Sequence, residues 1–419
     1  MKRFTSPLRV GVIGLGNRGK GMLKLLLTFS ELKIVSVCDS YSDRAEWGAD
    51  TVVQKGAERP FVTTDAIELL DRADLDAVFL FTAWEYHINL ACEAMERGIA
   101  VGMEVGGAYA VEDCWKLVDT AEKTKTPFML LENCCFNRSE LMVTAMARDG
   151  LFGDIVHCAG AYAHDLREEV SHGRENRHYR LRNYLNRCCE NYPTHEFGPI
   201  AKLLGINRGN RVLSLVSYAS SAKGINAYAK EHPDTVDPAM ATASFRQGDV
   251  VTTLLQCAGG ETVTLRLDTT LPRYYDREFT VRGTKGMYEM GPNMLFFNGM
   301  KEHFDTRKTY REQLDNATAY EDKYLPDIWK SITPEELAAG HGGMDAMEIR
   351  AFIDALLSGD EMPIDVYDCA VWMAITALSE RSIALGGMPQ EMPDFTRGIW
   401  LTRPLKDVVP LPSAKSDEA

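Results

Sequence analysis

Nowhere in the 419-residue chain does a window approach 18 consecutive apolar residues, so hydropathy excludes a membrane-spanning helix. The N-terminus places Lys2 and Arg3 before only a six-residue apolar strand, too short for a signal-peptide core, and a cytoplasmic location is the expectation. An excess of positive charge is also missing. Lys and Arg number 46 against 60 Asp and Glu, and this net charge of -14 argues against a nucleic-acid or anionic-membrane partner. The ten cysteines, at 38, 92, 114, 134, 135, 158, 188, 189, 257 and 369, form no C-x-x-C pair. Several fall inside expected strands or helices, so neither a zinc site nor a secreted disulfide framework is expected, and no metal is assigned. Repeats and low-complexity linkers are absent too, and only the last dozen residues look loosely held. What is present, 45% hydrophobic and 25% charged residues, is the composition of a globular protein long enough for two or three domains.

Residues 8 to 13, LRVGVI, read as a short buried strand that runs directly into GLGNRGKG. Gly14, Gly16 and Gly19 make a G-x-G-x-x-G turn, with Asn17 and Arg18 between them and apolar helical spacing after. The first glycine permits the tight turn, the second lets backbone approach a pyrophosphate, and the third brings helix and strand together. A second strand, KIVSVCD, ends at Asp39, placed to hydrogen-bond an adenosine ribose and to repel a 2'-phosphate, which favours NAD+ over NADP. Alternating strands and helices continue to about residue 132, predicting a doubly wound parallel sheet over 1–132. Ligands in such sheets lie beyond the carboxyl ends of the strands, so Thr82, Trp84, His87, Glu104 and Asn133 join the candidate cofactor contacts. His87, at a helix start, is equally suited to a structural role.

Beyond Asn133 the pattern changes to one that suits an α+β domain over 133–400, built on an open, largely antiparallel sheet. Segments 154–165, 211–220, 240–249, 250–260, 261–272 and 274–290 read as its strands. One face of such a sheet packs on helices and the other is free for a homo-oligomer contact. Segments 342–358 and 365–387 read as helices that pack back near the first domain, and 401–419 as a C-terminal tail. Within ENYPTHEFGPIAKLLG, His195 follows a Tyr-Pro turn at the head of a helix, where it either caps that helix or serves as an acid/base group. Between His164 and His195 lies a run that includes Arg174, Arg177, Arg180 and Arg182. These arginines either offset neighbouring glutamates on a solvated segment or line a cleft and bind a substrate anion. His341 either caps the helix it precedes, with Asp345, or meets a substrate hydroxyl.

The fingerprint, Asp39, the strand ending in Glu104, the strand succession and VRGTKGMYE together resemble the family of glucose-fructose oxidoreductases, inositol dehydrogenases and rhizopine catabolism proteins. In most oxidoreductases of that family the Glu104 strand continues Glu-Lys-Pro, and the lysine helps to move a proton. Here Val105 stands in the lysine's place. Six further blocks, EVGGAYAVEDCWKLVDTAE, LLENCCFNRSEL, GLFGDIVHCAGAYAHDL, YPTHEFGPIAKLLGINRGNR, RGTKGMYE and HGGMDAMEIRAFIDAL, resemble its glycosidase branch, the NAD-dependent α-N-acetylgalactosaminidases of glycoside hydrolase family 109. The resemblance implies an enzyme with tightly held NAD+ that hydrolyses a small glycoside without net redox change. Hydride leaves C3, the C2 proton is lost, the aglycone is eliminated, water adds and the ketone is reduced. It implies His195 as the active-site histidine, with Tyr192, His164 and one of Tyr274 or Tyr275 beside it. A sugar or cyclitol dehydrogenase is the alternative activity.

Overall fold

A computed structural model describes residues 4–72, 74–300, 306–338 and 340–413. The chain forms two compact units, Met1–Phe136 with Ser331–Val371 and Asn137–Lys330 with Trp372–Ala419.

In the first unit six parallel strands, β1 (Leu8–Ile13), β2 (Leu32–Cys38), β3 (Phe61–Thr63), β4 (Ala77–Leu80), β5 (Ala100–Glu104) and β6 (Phe128–Leu131), stand in the order β3-β2-β1-β4-β5-β6. That order reverses direction beside β1, the switch point at which doubly wound sheets bind ligands. Strands β4, β5 and β6 are buried along their whole length, as expected where helices cover both faces. The connecting helices are α1 (Asn17–Leu26), α2 (Ser42–Gln54), α3 (Ala66–Leu70), α4 (Trp84–Glu96) and α5 (Val111–Thr124). The short strand β3 had no apolar alternation to announce it.

The second unit carries an eight-stranded mixed sheet. Its strands are β7 (Ile155–Ala163), β8 (Val212–Ala219), β9 (Val250–Cys257), β10 (Thr262–Asp268), β11 (Thr280–Gly283), β12 (Gly286–Glu289), β13 (Met294–Phe297) and the short β14 (Gln390–Glu391). The order is β13-β12-β11-β7-β10-β9-β8-β14. All neighbours run antiparallel except β7 and β10, which pair in parallel from Thr262 opposite His157 to Asp268 opposite Ala163. The segment 240–249 corrects the sequence reading: it forms a 3-10 turn at Pro238–Ala241 and then irregular chain. Asp249 explains why. Its carboxylate accepts from the backbone N–H groups of Lys223 (2.7 Å) and Gly224 (3.0 Å) and from Thr270 Oγ1 (2.6 Å), which holds this stretch as a corner.

Along β9 the buried residues Val251, Thr253, Leu255 and Cys257 alternate with exposed Thr252, Leu254 and Gln256, so one face of the sheet is covered and the other open. The helices of this half are α6 (Arg138–Arg148), α7 (Arg167–Ser171), α8 (Arg180–Asn186), α9 (Pro193–Leu203) and α10 (Gly224–Glu231), followed by short helices α11 (Thr306–Gln313), α12 (Glu321–Tyr324) and α13 (Asp327–Lys330). Helix α9 lies on β7 and β10.

The chain then returns to the first unit with the short α14 (Pro334–Ala338) and with α15 (Met344–Ser358), whose Ile349, Phe352, Ile353 and Leu356 are buried. Phe352 meets Phe79 of β4 at 5.1 Å between ring centroids. Helix α16 (Val366–Ala384) begins in the first unit and ends in the second. The tail is held further along than its composition suggests. Arg208 Nη1 donates to the Pro404 carbonyl (2.9 Å), Arg148 pairs with Asp407 (2.8 Å) and Ser413 Oγ donates to Asp149 (2.6 Å). Residues 414–419 of that tail lie outside the described residues. All ten cysteines are free thiols, and nine are buried.

Gly160 of β7 is what lets α9 lie so close to its sheet: a Cβ there would sit 2.5 Å from the carbonyl oxygen of Glu196. Because that neighbour is backbone, it can yield only by moving the helix. Gly160→Ala should therefore destabilise the protein by about 1–3 kcal/mol, measured by urea unfolding. An unchanged midpoint would show that α9 shifts freely on the sheet.

Candidate functional site

In the first unit the glycine turn has the form that a dinucleotide pyrophosphate requires. Gly14 has φ of +94°, and a Cβ on it would meet the Phe81 carbonyl oxygen at 2.5 Å. Gly19 lies against the Gly14 carbonyl with no room for a side chain, which brings α1 down onto β1. A Cβ on Gly16, by contrast, would meet nothing closer than Arg44 Nη1 at 3.6 Å, so this backbone faces open space. Helix α1 starts at Gly16 with no side-chain cap and no acid in its first turn, leaving N–H groups and the positive end of its dipole for an anion. Asp39 is tied to this turn: its carboxylate accepts from Leu15 N–H (2.7 Å) and Tyr41 N–H (2.9 Å). The residues present fit NAD+, with the turn at Gly14–Gly19 for the pyrophosphate and Asp39 beside it.

Three candidate cofactor residues turn out to be joined to one another. Arg18 Nε donates to Glu104 (2.7 Å), and its Nη1 and Nη2 reach both oxygens of Asp345 on α15 (2.6 and 3.0 Å). Asn133 donates to the same carboxylate (2.7 Å), and His341 Nδ1 lies 2.9 Å from it. The guanidinium of Arg18 is thus matched by acids rather than offered to phosphate, and His341 sits on Asp345, the helix-start arrangement. Burial opposes ionisation of Asp345, but the bonds and charges of His341 and Arg18 outweigh it and hold the carboxyl well below the usual range. Glu348, fully buried one turn later, goes the other way: burial and the negative charge of Asp345 raise it, which keeps it neutral.

His87 is corrected to a structural role. It is fully buried, Nε2 meets the Thr82 carbonyl at 2.9 Å, and burial lowers it to about 4, so it is a neutral pin of the β4–α4 turn. Trp84 is buried against Gly106, where a Cβ would come within 2.5 Å of its ring, and Asn17 is exposed at the start of α1. Val105, in the lysine's place, is buried and holds no proton.

The second unit gathers most of the catalytic candidates. Pro193 at the first position of α9 fixes the turn in which Tyr192 precedes the helix and His195 occupies its first turn. The Tyr192 and His195 rings meet edge to face at 4.7 Å. Tyr162 on β7 joins both, at 4.5 Å from Tyr192 and 5.6 Å from His195, and its hydroxyl lies 3.2 Å from His164 Nδ1. Tyr275 completes the group, 5.2 Å from His164. Tyr274 is turned to solvent, 77% exposed, with Arg273 over its ring, so Tyr275 is the tyrosine of the pair that belongs to the site. Burial, with the positive charge of Arg180, lowers His164 and favours its neutral form.

Of the arginine run, Arg180 alone among the four candidates is buried. It lies 5.0 Å from the Tyr192 ring centroid and 6.0 Å from that of Tyr162, and Nη1 donates to Glu169 (3.0 Å). Arg174 pairs on the surface with Asp237 (2.8 Å), Arg177 takes a left-handed backbone at φ +51°, and Arg182 is exposed on α8. Tyr162 escaped the sequence reading, although the i, i+2 spacing to His164 on a strand puts both on one face. Glu190 and Glu196 escaped as well. Both are buried at either end of the Tyr192–His195 stretch, and their carboxyl groups face each other.

A parallel dinucleotide-binding sheet followed by a mixed sheet with a histidine- and tyrosine-lined face defines a two-domain enzyme of the NAD-dependent oxidoreductase type. A profile described as oxidoreductase family, NAD-binding Rossmann fold, matches residues 8–131, and one described as glycosyl hydrolase 109, C-terminal domain, matches residues 136–402. A glycosyl hydrolase family 109 protein of Stenotrophomonas maltophilia is 36% identical over 419 residues, covering 94% of this chain and 90% of the relative. An alpha-N-acetylgalactosaminidase of Tannerella forsythia is 35% identical, covering 94% and 88%. Among solved structures, levoglucosan dehydrogenase with NADH and levoglucosan shares the fold at a TM-score of 0.66 and 18% identity, over 92% of this chain and all of that one. The chain belongs to glycosyl hydrolase family 109, within the wider family of Rossmann-fold oxidoreductases, and it is an enzyme. No helix among the described residues is long and apolar enough to cross a membrane.

Asp345 should be the residue whose loss harms the first unit most. Asp345→Asn removes the negative charge that faces Arg18 and turns one of the two acceptor oxygens into an N–H donor, and should cost about 3 kcal/mol at neutral pH. Because the folded state depresses this carboxyl below its ordinary 3.8, the stability it contributes is present above about pH 4 and is lost as pH falls. The gap between parent and variant in thermal unfolding should therefore close in acid. A gap that stayed constant would place the charge of Asp345 outside the balance.

Proposed function

We propose that this enzyme is an NAD-dependent glycosidase that cleaves its substrate by oxidation at C3, elimination across C1 and C2, water addition and re-reduction, with His195 moving the C2 proton. The observation that carries the reading is the ring cluster of Tyr162, Tyr192, His195, His164 and Tyr275 around buried Arg180, combined with Val105 where a dehydrogenase lysine would stand. When bound at the Gly14–Gly19 turn, NAD+ supplies reversible hydride acceptance, so no NADH accumulates over a cycle.

The chain's own residues have two proton transfers to perform. One removes a proton from carbon beside a carbonyl, for which an imidazole near neutrality is well matched. The other delivers a proton to the leaving oxygen, and Tyr192, in contact with His195, is the nearest phenol. Arg180 lies over the rings of both phenols, Tyr162 and Tyr192, and helps to fix where they stand. A conventional glycosidase would set two carboxyl groups about 5 Å or more apart across the bond. Glu190 and Glu196 are both buried and face each other, so they do not flank an open cleft in that way. A neutral sugar is favoured, because the positive charge of Arg174 and Arg180 is already met by Asp237 and Glu169, and the Tannerella relative suggests N-acetylgalactosamine. We read the open sheet face, with exposed Tyr218 and Leu254, as the oligomer contact, which Leu254→Asp should weaken in analytical ultracentrifugation.

Aryl glycosides decide the activity. An aryl N-acetylgalactosaminide should release its phenol with no net absorbance gain from NADH, and turnover in heavy water should place deuterium at C2. Stoichiometric NADH from a free sugar would instead make the protein a dehydrogenase. His195→Ala should keep NAD+ bound yet lose roughly 10² to 10⁴ in turnover. An unslowed variant removes the role from His195. On Asp39, replacement by Ala should weaken NAD+ and narrow its advantage over NADP+ in direct binding, since the acid no longer repels a 2'-phosphate.

A further inference from the structure

Glu190 and Glu196 bracket the stretch that carries Tyr192 and His195. Their side chains are 0% and 2% exposed, and none of their four carboxyl oxygens meets an N–H or hydroxyl donor in good geometry. The backbone N–H groups of Tyr192 and Leu267 near Glu190, and those of Arg266 and Tyr162 near Glu196, offset the effect of burial only in part. Each carboxyl instead meets the other directly. Two carboxylates are both acceptors and cannot hydrogen-bond, so one of the pair carries a proton.

Among the described residues, the charged side chains on the elements around the pair are engaged elsewhere. On β10, Arg266 pairs with Glu278 and Asp268 with Arg273. On α6, Glu140 is taken by Arg277, and on α16, Glu380 is taken by Arg187. On β7 the titratable groups are His157, bonded to Thr262, Tyr162, bonded to His164, and Cys158, whose thiol burial keeps protonated. Burial accordingly pushes Glu190 up to about 7, and burial with the charge of Glu190 pushes Glu196 higher still.

One side of the pair is anchored. Glu190 N–H donates to Ser379 Oγ (2.9 Å) and its carbonyl accepts from Thr376 Oγ1 (2.7 Å), both on α16. The other side, Glu196, is part of α9, whose backbone lies against Gly160. We propose that Glu190 and Glu196 share one proton as a clasp closing the turn between them, and that they are positioning residues that hold Tyr192 and His195 edge to face. Loss of the shared proton sets two buried carboxylates against each other and forces the turn open. The functional consequence rests on the glycosidase reading above, whereas the clasp itself does not.

The sign of the linkage follows. The folded state binds this proton more tightly than the unfolded chain, so the clasp's stabilisation is greatest below the ordinary glutamate value of 4.5 and declines as pH rises through about 7.

The test uses the full-length protein with NAD+ and the variants Glu190→Gln, Glu196→Gln and Glu196→Ala. A glutamine amide donates to the remaining carboxylate without needing the proton, so it keeps the clasp closed and removes its pH dependence. In an infrared spectrum of parent minus Gln variant at neutral pH, a protonated-carboxyl carbonyl band should appear and bleach on alkaline titration. Neutral Glu348 is common to both proteins and cancels. No such band would overturn the clasp whether or not the protein cleaves glycosides. With an aryl N-acetylgalactosaminide, parent kcat should show an alkaline limb that both Gln variants lack. Glu196→Ala should lower kcat on the order of 10²-fold, as expected for a misplaced reacting group, with KM changed far less. A limb that persists in the Gln variants would overturn the positioning role. If no glycoside is cleaved at all, the function proposed above fails and the infrared band decides the clasp alone.

Discussion

The close seating of α9 on β7 is the contact on which the candidate site depends. Gly160 removes the one side chain that would stand between the strand and the backbone of Glu196. With the helix down, Tyr192 and His195 come within ring-contact distance of Tyr162, which β7 itself supplies. Because β7 runs parallel to β10 and antiparallel to β11, it lies inside the sheet and not at an edge, and the ring cluster stands on a rigid floor. Close packing of this kind resists small displacements, which is what proton transfer over hydrogen-bond distances demands.

The first unit solves a different problem by electrostatics. Its glycine turn leaves N–H groups for an anion, while the neighbouring cation Arg18 is drawn away by Glu104 and Asp345. The attraction for pyrophosphate is thereby assigned to backbone and helix dipole, whose geometry is fixed. The same arginine joins α1 and β5 to α15, a helix more than 300 residues along the chain, as the separation of 327 between Arg18 and Asp345 records.

How much of this was legible varies with the kind of residue. The glycine fingerprint and Asp39 could be read directly, because each glycine answers a backbone constraint and the acid ends an apolar strand at a set distance. His195 could be read from the Tyr-Pro turn and the apolar helix behind it. Helix α15 could be read from its periodicity, and Asp345 as a capping partner of His341, but nothing local announces that Glu348 one turn later is fully buried. The stretch 240–249 mimics a strand because Ala241, Ala243 and Phe245 alternate with polar residues, while the constraint that defeats it, Asp249 binding backbone at 223 and 224, is non-local. The parallel insertion of β7 beside β10 is likewise invisible to local pattern, since the partners are 105 residues apart at Thr262 and His157. Glu190 and Glu196 were hidden for the opposite reason: a glutamate in sequence is expected at a surface, and nothing local announces that two will be buried against each other.

The thiols carry a consequence of their own. Burial raises Cys38 and Cys257 to about 12 and raises Cys92, Cys114, Cys158, Cys189 and Cys369 as well, so these seven favour the thiol form at neutral pH. Only the thiolate attacks an electrophile or an oxidant. Cys188 is half-buried where the other nine cysteines are buried, and it too is raised, first by burial. The folded enzyme is therefore chemically quiet toward peroxide and alkylating agents despite its ten cysteines. Reactivity appears when the chain opens, so the rate of alkylation in native buffer counts excursions from the folded state.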